Sequence, residues 1–290
     1  MADSLPIYEI EQELVTRLRA CRRLVLQAPT GSGKSTQVPQ ILLKHGFLDQ
    51  GQAVILQPRR LATRMLASRV AQELGCDPGS RVGYQIRFEN VSRADTKIKF
   101  VTEGILLRQM VQDPKLTGIQ ALIFDEIHER HLYGDITLAR ALELQEKERP
   151  DLLIIVMSAT LDAGALEDYL FPCSVLTSQG RTFPVAIDYL PRKFGSFPPP
   201  PWELAAQAFA DFVRSGESGD VLVFMPGSYE IHQTIEALRN IAESRGYILL
   251  PLHGELSPRD QDAAVAGYDR PKVVVSTNVA ETSLTIPGVR

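Results

Sequence analysis

LVLQAPTGSGKSTQVPQ, Leu24 to Gln40, is the stretch from which the fold is read. Leu24, Val25 and Leu26 form a short apolar run of the kind that makes a buried strand. A Gly-rich turn follows, and a helix is expected to begin near Lys34. Strand, glycine turn and helix start in this order describe a phosphate-binding loop. Gly31 and Gly33 allow the backbone to turn tightly enough to aim successive N–H groups at a polyphosphate. The helix start adds its partial positive charge. Lys34 is placed to reach the β- and γ-phosphates, and Ser35 to offer a hydroxyl to Mg²⁺. The strict pattern carries glycine at its first position, where this chain has Ala28.

Outward from that loop, apolar runs alternate with helical periodicity. Tyr8 to Ala20 reads as an amphipathic helix, with Ile10, Leu14 and Leu18 on one face. AVILQ (Ala53 to Gln57) is a second strand, stopped by Pro58, and Leu61 to Leu74 a helix. KIKFV (Lys97 to Val101) is a strand and Glu103 to Val111 a helix. ALIF (Ala121 to Phe124) and LLIIVM (Leu152 to Met157) are further strands. The alternation predicts an α/β fold with a parallel sheet covered on both faces. Ligands of such sheets sit beyond the carboxyl ends of the strands. Thr30 to Ser35, Asp125 and Glu126, and Ser158 to Thr160 all fall there.

The composition shifts after Arg181, where PRKFGSFPPPP (Pro191 to Pro201) cannot be helix interior or central strand. It reads as a stiff connection. Beyond it the alternation resumes. Trp202 to Val213 and Ser228 to Ser244 read as helices, and DVLVFMPG, YILLPLHG and KVVVST contain strands. The expected organisation is a first domain over 1–180, a connection over 181–201 and a second, incomplete domain over 202–290.

The chain has 290 residues, 44% of them hydrophobic and 23% charged, as in ordinary globular proteins. Its net charge is −4, so any polyanion site must be local. Cys21, Cys76 and Cys173 show no CxxC pairing, which argues against a zinc or disulfide framework and fits a reducing cytoplasm. No apolar run has the length of a membrane span.

DEIHER, Asp125 to Arg130, directly follows an apolar strand. Phosphoryl transfer needs Mg²⁺ to neutralise developing charge and a group to orient the attacking water. Asp125 suits the metal, through water, and Glu126 suits the water as base or orienter, with a share in the metal site. His128 and His131 lack the spacing of a zinc helix, and His128 is read instead as a polar coupling residue.

These stretches together resemble the DEAH-box (DExH) helicases of superfamily 2, in particular their bacterial RNA-helicase branch. The resemblance runs through LPIYE, APTGSGKST, QPRRLAT, VGYQIRFEN, VTEG, DEIHER, SAT, RTFPV, LVFMPG, PLHGELSP and STNVAETSLTIPG, over nearly the whole chain. It implies two tandem RecA-like domains, ATP (with other NTPs accepted) and Mg²⁺ as the bound groups, and single-stranded RNA as partner. It also implies a monomer, gripping RNA through its sugar-phosphate backbone. Thr30, Gly31, Ser32, Gly33, Lys34, Ser35 and Thr36 would hold the triphosphate. Ser35, Asp125 and Glu126 would hold Mg²⁺. Lys34, Asp125, Glu126 and His128 would form the catalytic group, and Arg69 would stack on the base. Arg59, Arg60, Thr102, Gly104 and Thr277 match backbone-gripping positions, and contacts of that kind carry no sequence information. Ser158 and Thr160 match the motif that couples nucleotide state to domain movement.

The sequence departs from the family pattern in places. Pro287 stands where an acidic residue usually meets the ribose, and Val265 where an aromatic often stacks on the base. The later motif that supplies arginine fingers is absent, as are the auxiliary domains. The resemblance therefore implies an N-terminal fragment that binds nucleotide and turns it over poorly. The rival readings are a DNA translocase, a nucleotide-dependent nucleic-acid-binding module without unwinding activity, and a metabolic P-loop kinase. The second domain and the gripping motifs speak against the kinase.

Overall fold

The computed structural model describes residues 5–159, 164–180, 185–190, 199–281, 286 and 288–289. Thr160, most of the proline-rich connection and Pro287 lie outside the described residues. The chain divides into two compact units, Met1–Thr182 and Phe183–Arg290.

In the first unit, a 3-10 turn (Pro6–Ile10) leads into α1 (Glu11–Ala20) and β1 (Arg23–Gln27). Then come α2 (Lys34–Lys44), β2 (Gln52–Gln57), α3 (Arg60–Glu73), β3 (Val82–Ile86) and β4 (Glu89–Val91). They are followed by β5 (Ile98–Thr102), α4 (Glu103–Gln112), β6 (Ile119–Phe124) and α5 (Leu132–Lys147). β7 (Leu153–Ser158), α6 (Gly164–Leu170) and β8 (Ser174–Thr177) complete the unit. Its eight strands form one sheet in the order β4-β3-β5-β2-β6-β7-β1-β8. Every pair is parallel except β3 with β4.

The central strands read as unbroken apolar runs because both faces of the sheet are covered. Along β6, Ala121 and Ile123 join one buried layer with Leu14, Leu18, Val38 and Phe100. Leu122 and Phe124 join the opposite layer with Leu106, Met110 and Leu138. β1, β2 and β7 divide their side chains between the two layers by the same alternation.

The second unit holds α7 (Pro201–Arg214), β9 (Val221–Phe224), α8 (Ser228–Arg239), β10 (Ile248–Leu252), α9 (Pro258–Val265) and β11 (Lys272–Ser276). Its parallel sheet runs β10-β11-β9. Phe209 on α7 and Ile231, Ile235 and Leu238 on α8 pack against Val273 and Val275 of the central strand.

Two expected helices are shorter than their periodicity suggests. Tyr8 to Ile10 belong to the 3-10 turn that Pro6 opens, so α1 starts only at Glu11. The second unit's expected helix to Ser244 stops at Arg239, and Ala242–Ser244 form a separate 3-10 turn. No helix among the described residues is long and apolar enough to cross a membrane.

Candidate active site

The glycine-rich loop leaves β1 and enters α2 at Lys34. Gly31 and Gly33 have φ of 77° and 90°, the left-handed region where a side chain is strained. Ala28 fits the position where the strict pattern has glycine. Its side chain is buried, and its N–H donates to the Ser158 carbonyl at 3.0 Å, tying the loop to the end of β7. From the other side, the N–H of Ile7 donates to the Ser32 carbonyl at 3.2 Å. The 3-10 turn before α1 thus straps the loop.

Asp125 and Glu126 emerge from the end of β6, both buried. Asp125 is held from three directions. The Gln57 side-chain amide at the end of β2 donates to Oδ2, the Glu126 N–H donates to Oδ1 at 3.0 Å, and the Ser35 hydroxyl lies near enough to favour the charged carboxylate. Lys34 Nζ lies 3.7 Å from Glu126 Oε1. The sheet thus brings Lys34, Ser35, Asp125 and Glu126 together. Glu126 takes a left-handed conformation (φ 54°), an uncommon backbone for a residue with a side chain. Its Oε2 is buried without a hydrogen-bond partner, 3.4 Å from His128 Nε2.

Burial, reinforced by the neighbouring Asp125 charge, pushes the Glu126 carboxyl up to about 7, against the pull of Lys34. Burial also raises Asp125, opposed by Lys34 and by the Ser35 and Gln57 hydrogen bonds. His128 is lowered by burial, which keeps its imidazole neutral at neutral pH. A buried carboxylate poised near neutrality with an unsatisfied oxygen is suited to take a proton from a reactant. Ser35, Asp125 and Glu126 offer hard oxygen donors to a cation such as Mg²⁺, and the unsatisfied Glu126 oxygen fits such a role.

The other sequence-selected residues fall into separate groups. β2 and β5 pair with Gln57 opposite Thr102. Arg59 and Arg60, which open α3, therefore emerge beside Thr102 and Gly104, which open α4. Arg60 and Gly104 are exposed. Arg59 Nη2 donates to Glu129 Oε1 at 3.1 Å. Arg69 lies exposed on α3, its Nε bonded to Glu73 Oε1 at 2.6 Å. Thr36, in the first turn of α2, bonds back to the Gly33 carbonyl. Ser158 is buried at the end of β7. Thr277 belongs to the second unit, where its hydroxyl caps the turn Asn278–Ala280, and Val265 ends α9 there.

Gln57, Glu73 and Glu129 had no role assigned from the sequence. Gln57 carried one signal, a polar side chain closing an otherwise apolar strand. The other two carried none that pointed to the site, because Gln37 and Gln40 meet Glu73, and Arg59 meets Glu129, only through the fold.

Residues 8–169 match the DEAD/DEAH box helicase family and residues 205–290 the helicase conserved C-terminal domain. The chain is 42% identical over 293 residues to "ATP-dependent RNA helicase HrpB" of Escherichia coli, covering 99% of this chain and 35% of that protein. It is 40% identical over 297 residues to "Probable ATP-dependent RNA helicase DHX34" of Mus musculus, covering 26% of that protein. The crystal structure of the Escherichia coli DEAH/RHA helicase HrpB superposes with a TM-score of 0.87, over 99% of this chain and 36% of that one. The chain thus spans about a third or less of the length of these relatives. The two parallel sheets correspond to the RecA-like domains of helicases, and the chain belongs to the DEAD/DEAH box helicase family.

Proposed function

We propose that this chain is the nucleotide-hydrolysing core of an ATP-dependent RNA helicase, coupling NTP hydrolysis to translocation on, or remodelling of, single-stranded RNA. The observation that carries the proposal is the group of buried Lys34, Asp125 and Glu126, with half-buried Ser35, around the glycine loop. In this reading residues 1–180 form the ATP-binding domain, 181–201 the connection and 202–290 the second helicase domain. Thr30 to Thr36 cradle the triphosphate. Arg69 stacks on the base, a contact that admits several nucleotides.

Ser35, Asp125 and Glu126, partly through water, would hold Mg²⁺, which when bound neutralises phosphate charge. Glu126 accepts the proton of the attacking water at its unpaired oxygen, and the neutral His128, 3.4 Å from that oxygen, joins the coupling network. Lys34 stabilises the charge that accumulates on the transferring phosphoryl group. Arg59, Arg60, Thr102, Gly104 and Thr277 grip the strand backbone, and Ser158 with Thr160 couples nucleotide state to domain movement. The protein works as a monomer in the cytoplasm, a setting its three unpaired cysteines suit.

The test is ATP hydrolysis by the 290-residue chain alone, with poly-RNA and with single-stranded DNA, using Lys34→Ala as the blank. Turnover above the blank that rises with RNA is the expected result. Stimulation by DNA alone would replace the proposal with a DNA translocase. Nucleotide-dependent strand binding without turnover would leave only a binding module.

A further inference from the structure

Glu129 sits where two parts of the site meet. Its own N–H donates to the Glu126 carbonyl at 2.9 Å, closing the single 3-10 turn Ile127–Glu129. That turn is bounded by two left-handed residues that are not glycine, Glu126 (φ 54°) and Arg130 (φ 52°). Backbone of this kind persists only where its surroundings hold it. Glu126 is held by its N–H bond to Asp125 Oδ1 and Arg130 by its pair with Asp135, and the Glu129 side chain adds two further contacts. Oε1 accepts from Arg59 Nη2 at 3.1 Å, and Oε2 lies 3.1 Å from His131 Nε2. Both partners of the Arg59 pair are largely buried, with side-chain exposures of 16% and 12%. Water therefore screens the pair poorly, and loss of either charge is felt by the other.

Arg59 also stands beside Thr102 and Gly104 at the ends of β2 and β5, where the strand backbone is read to pass. A phosphate delivered there competes with the Glu129 carboxylate for the same guanidinium, since both are planar or tripodal oxyanions that an arginine fork recognises. Any change in the pull on Glu129 is passed along a turn of three residues to the backbone of Glu126. We propose that Glu129 is a positioning residue, through which Arg59 reports an engaged strand to the water-orienting Glu126. This inference rests on the reading of Arg59 as a strand contact. Glu129 touches no reacting atom in this scheme. Its effect is exerted through the conformation of Glu126, so it governs the response to the strand rather than the chemistry itself.

The experiment measures the ratio of RNA-stimulated to RNA-free ATP turnover, and separately the Kd for a labelled RNA oligomer, for wild type, Glu129→Gln, Arg59→Ala and the double variant. Melting curves on each confirm the fold. In Glu129→Gln the stimulation ratio is expected to fall about tenfold while RNA affinity holds or rises, because one carboxylate competitor for Arg59 is removed. A structural lesion would weaken binding and stimulation together. The double variant is expected to lose no more stimulation than Arg59→Ala alone, as two residues on one path do. Full stimulation in Glu129→Gln, additive losses in the double variant, or a wild type that RNA does not stimulate would each overturn the inference. An Arg59→Ala variant with unchanged RNA affinity would instead reject the strand-contact reading beneath it, and binding alone reveals that outcome.

Discussion

At the scale of single residues, the Glu126 carboxyl carries the most specific expectation. Its position near pH 7 in the folded protein, against a carboxyl's usual 4.5, means that the native state holds a proton the unfolded chain would release. The stabilisation from that proton is fully present below pH 4.5 and is lost as pH rises through about 7. Glu126→Gln removes the ionisable group and keeps the shape. At pH 8 the nucleotide-free variant should melt about 6–12 °C above wild type, a gain of about 3 kcal/mol in a unit of this size, and the difference should vanish by pH 4.5. Its ATP turnover should fall at least about a hundredfold, as expected for loss of a general base. In wild type, kcat/KM for ATP, which reports the nucleotide-free enzyme, should decline as pH drops through about 7, where Glu126 takes up its proton. Equal melting temperatures at pH 8, or a turnover unchanged by the substitution, would remove Glu126 from the role given to it.

Between elements, α2 and α3 are joined by one carboxylate. Glu73 Oε1 accepts from Arg69, and Oε2 accepts from the amides of Gln37 and Gln40 at 2.8 Å each. Gln37 in turn accepts from the Tyr8 hydroxyl at 2.6 Å. The network fixes the arginine read as the base-stacking group relative to the phosphate-binding helix. Glu73→Ala should therefore raise the KM for ATP about three- to tenfold with kcat changed less than twofold, because it disturbs base placement and leaves the phosphate end intact. A lowered kcat at constant KM would contradict that division. Apart from Arg69 and Glu73, four residues apart on one helix, none of these partners could be paired from the sequence. Gln57 and Asp125 are 68 positions apart, and Arg59 and Glu129 are 70 apart. Sheet order alone makes them neighbours. What could be read was local: continuous apolar runs for β1, β2, β5, β6 and β7, and the glycine loop with its following lysine. β3 and β4 escaped notice because β4 has no buried residue and the buried stretch of β3, Val82 to Tyr84, is short and interrupted by a glycine. The break before α1 was masked because the apolar spacing continues through it, while Pro6 sets a tighter turn.

At the scale of the molecule, each unit has its own apolar core. The phosphate loop and both carboxylates belong to the first, so a polypeptide of residues 1–182 should bind Mg·ATP in a Lys34-dependent way without the rest. In the full chain, a hundredfold excess of nucleotide over Kd adds about 2.7 kcal/mol to the unit that binds it. Calorimetry should accordingly show one transition raised by about 5–10 °C and a second that moves less. Coincident shifts would mean that the units unfold as one.

The charge of the whole chain bears on the strand in the opposite sense from the site. With a net charge of −4, the molecule as a whole repels a polyanion, so affinity must come from the few cations placed at the strand ends. Each phosphate neutralised on a single strand contributes a slope of about −0.7 to log K against log[salt]. Arg60 opens α3 at an exposed position beside Thr102 and Gly104, and carries no part of the Arg59–Glu129 pair. Arg60→Ala should therefore flatten the salt slope by about 0.7 and weaken binding to all RNA sequences alike, as loss of a phosphate contact does. An unchanged slope would place the strand elsewhere on the first unit. Weakening confined to particular sequences would show that Arg60 reads bases, contrary to the backbone grip inferred for this edge of the sheet.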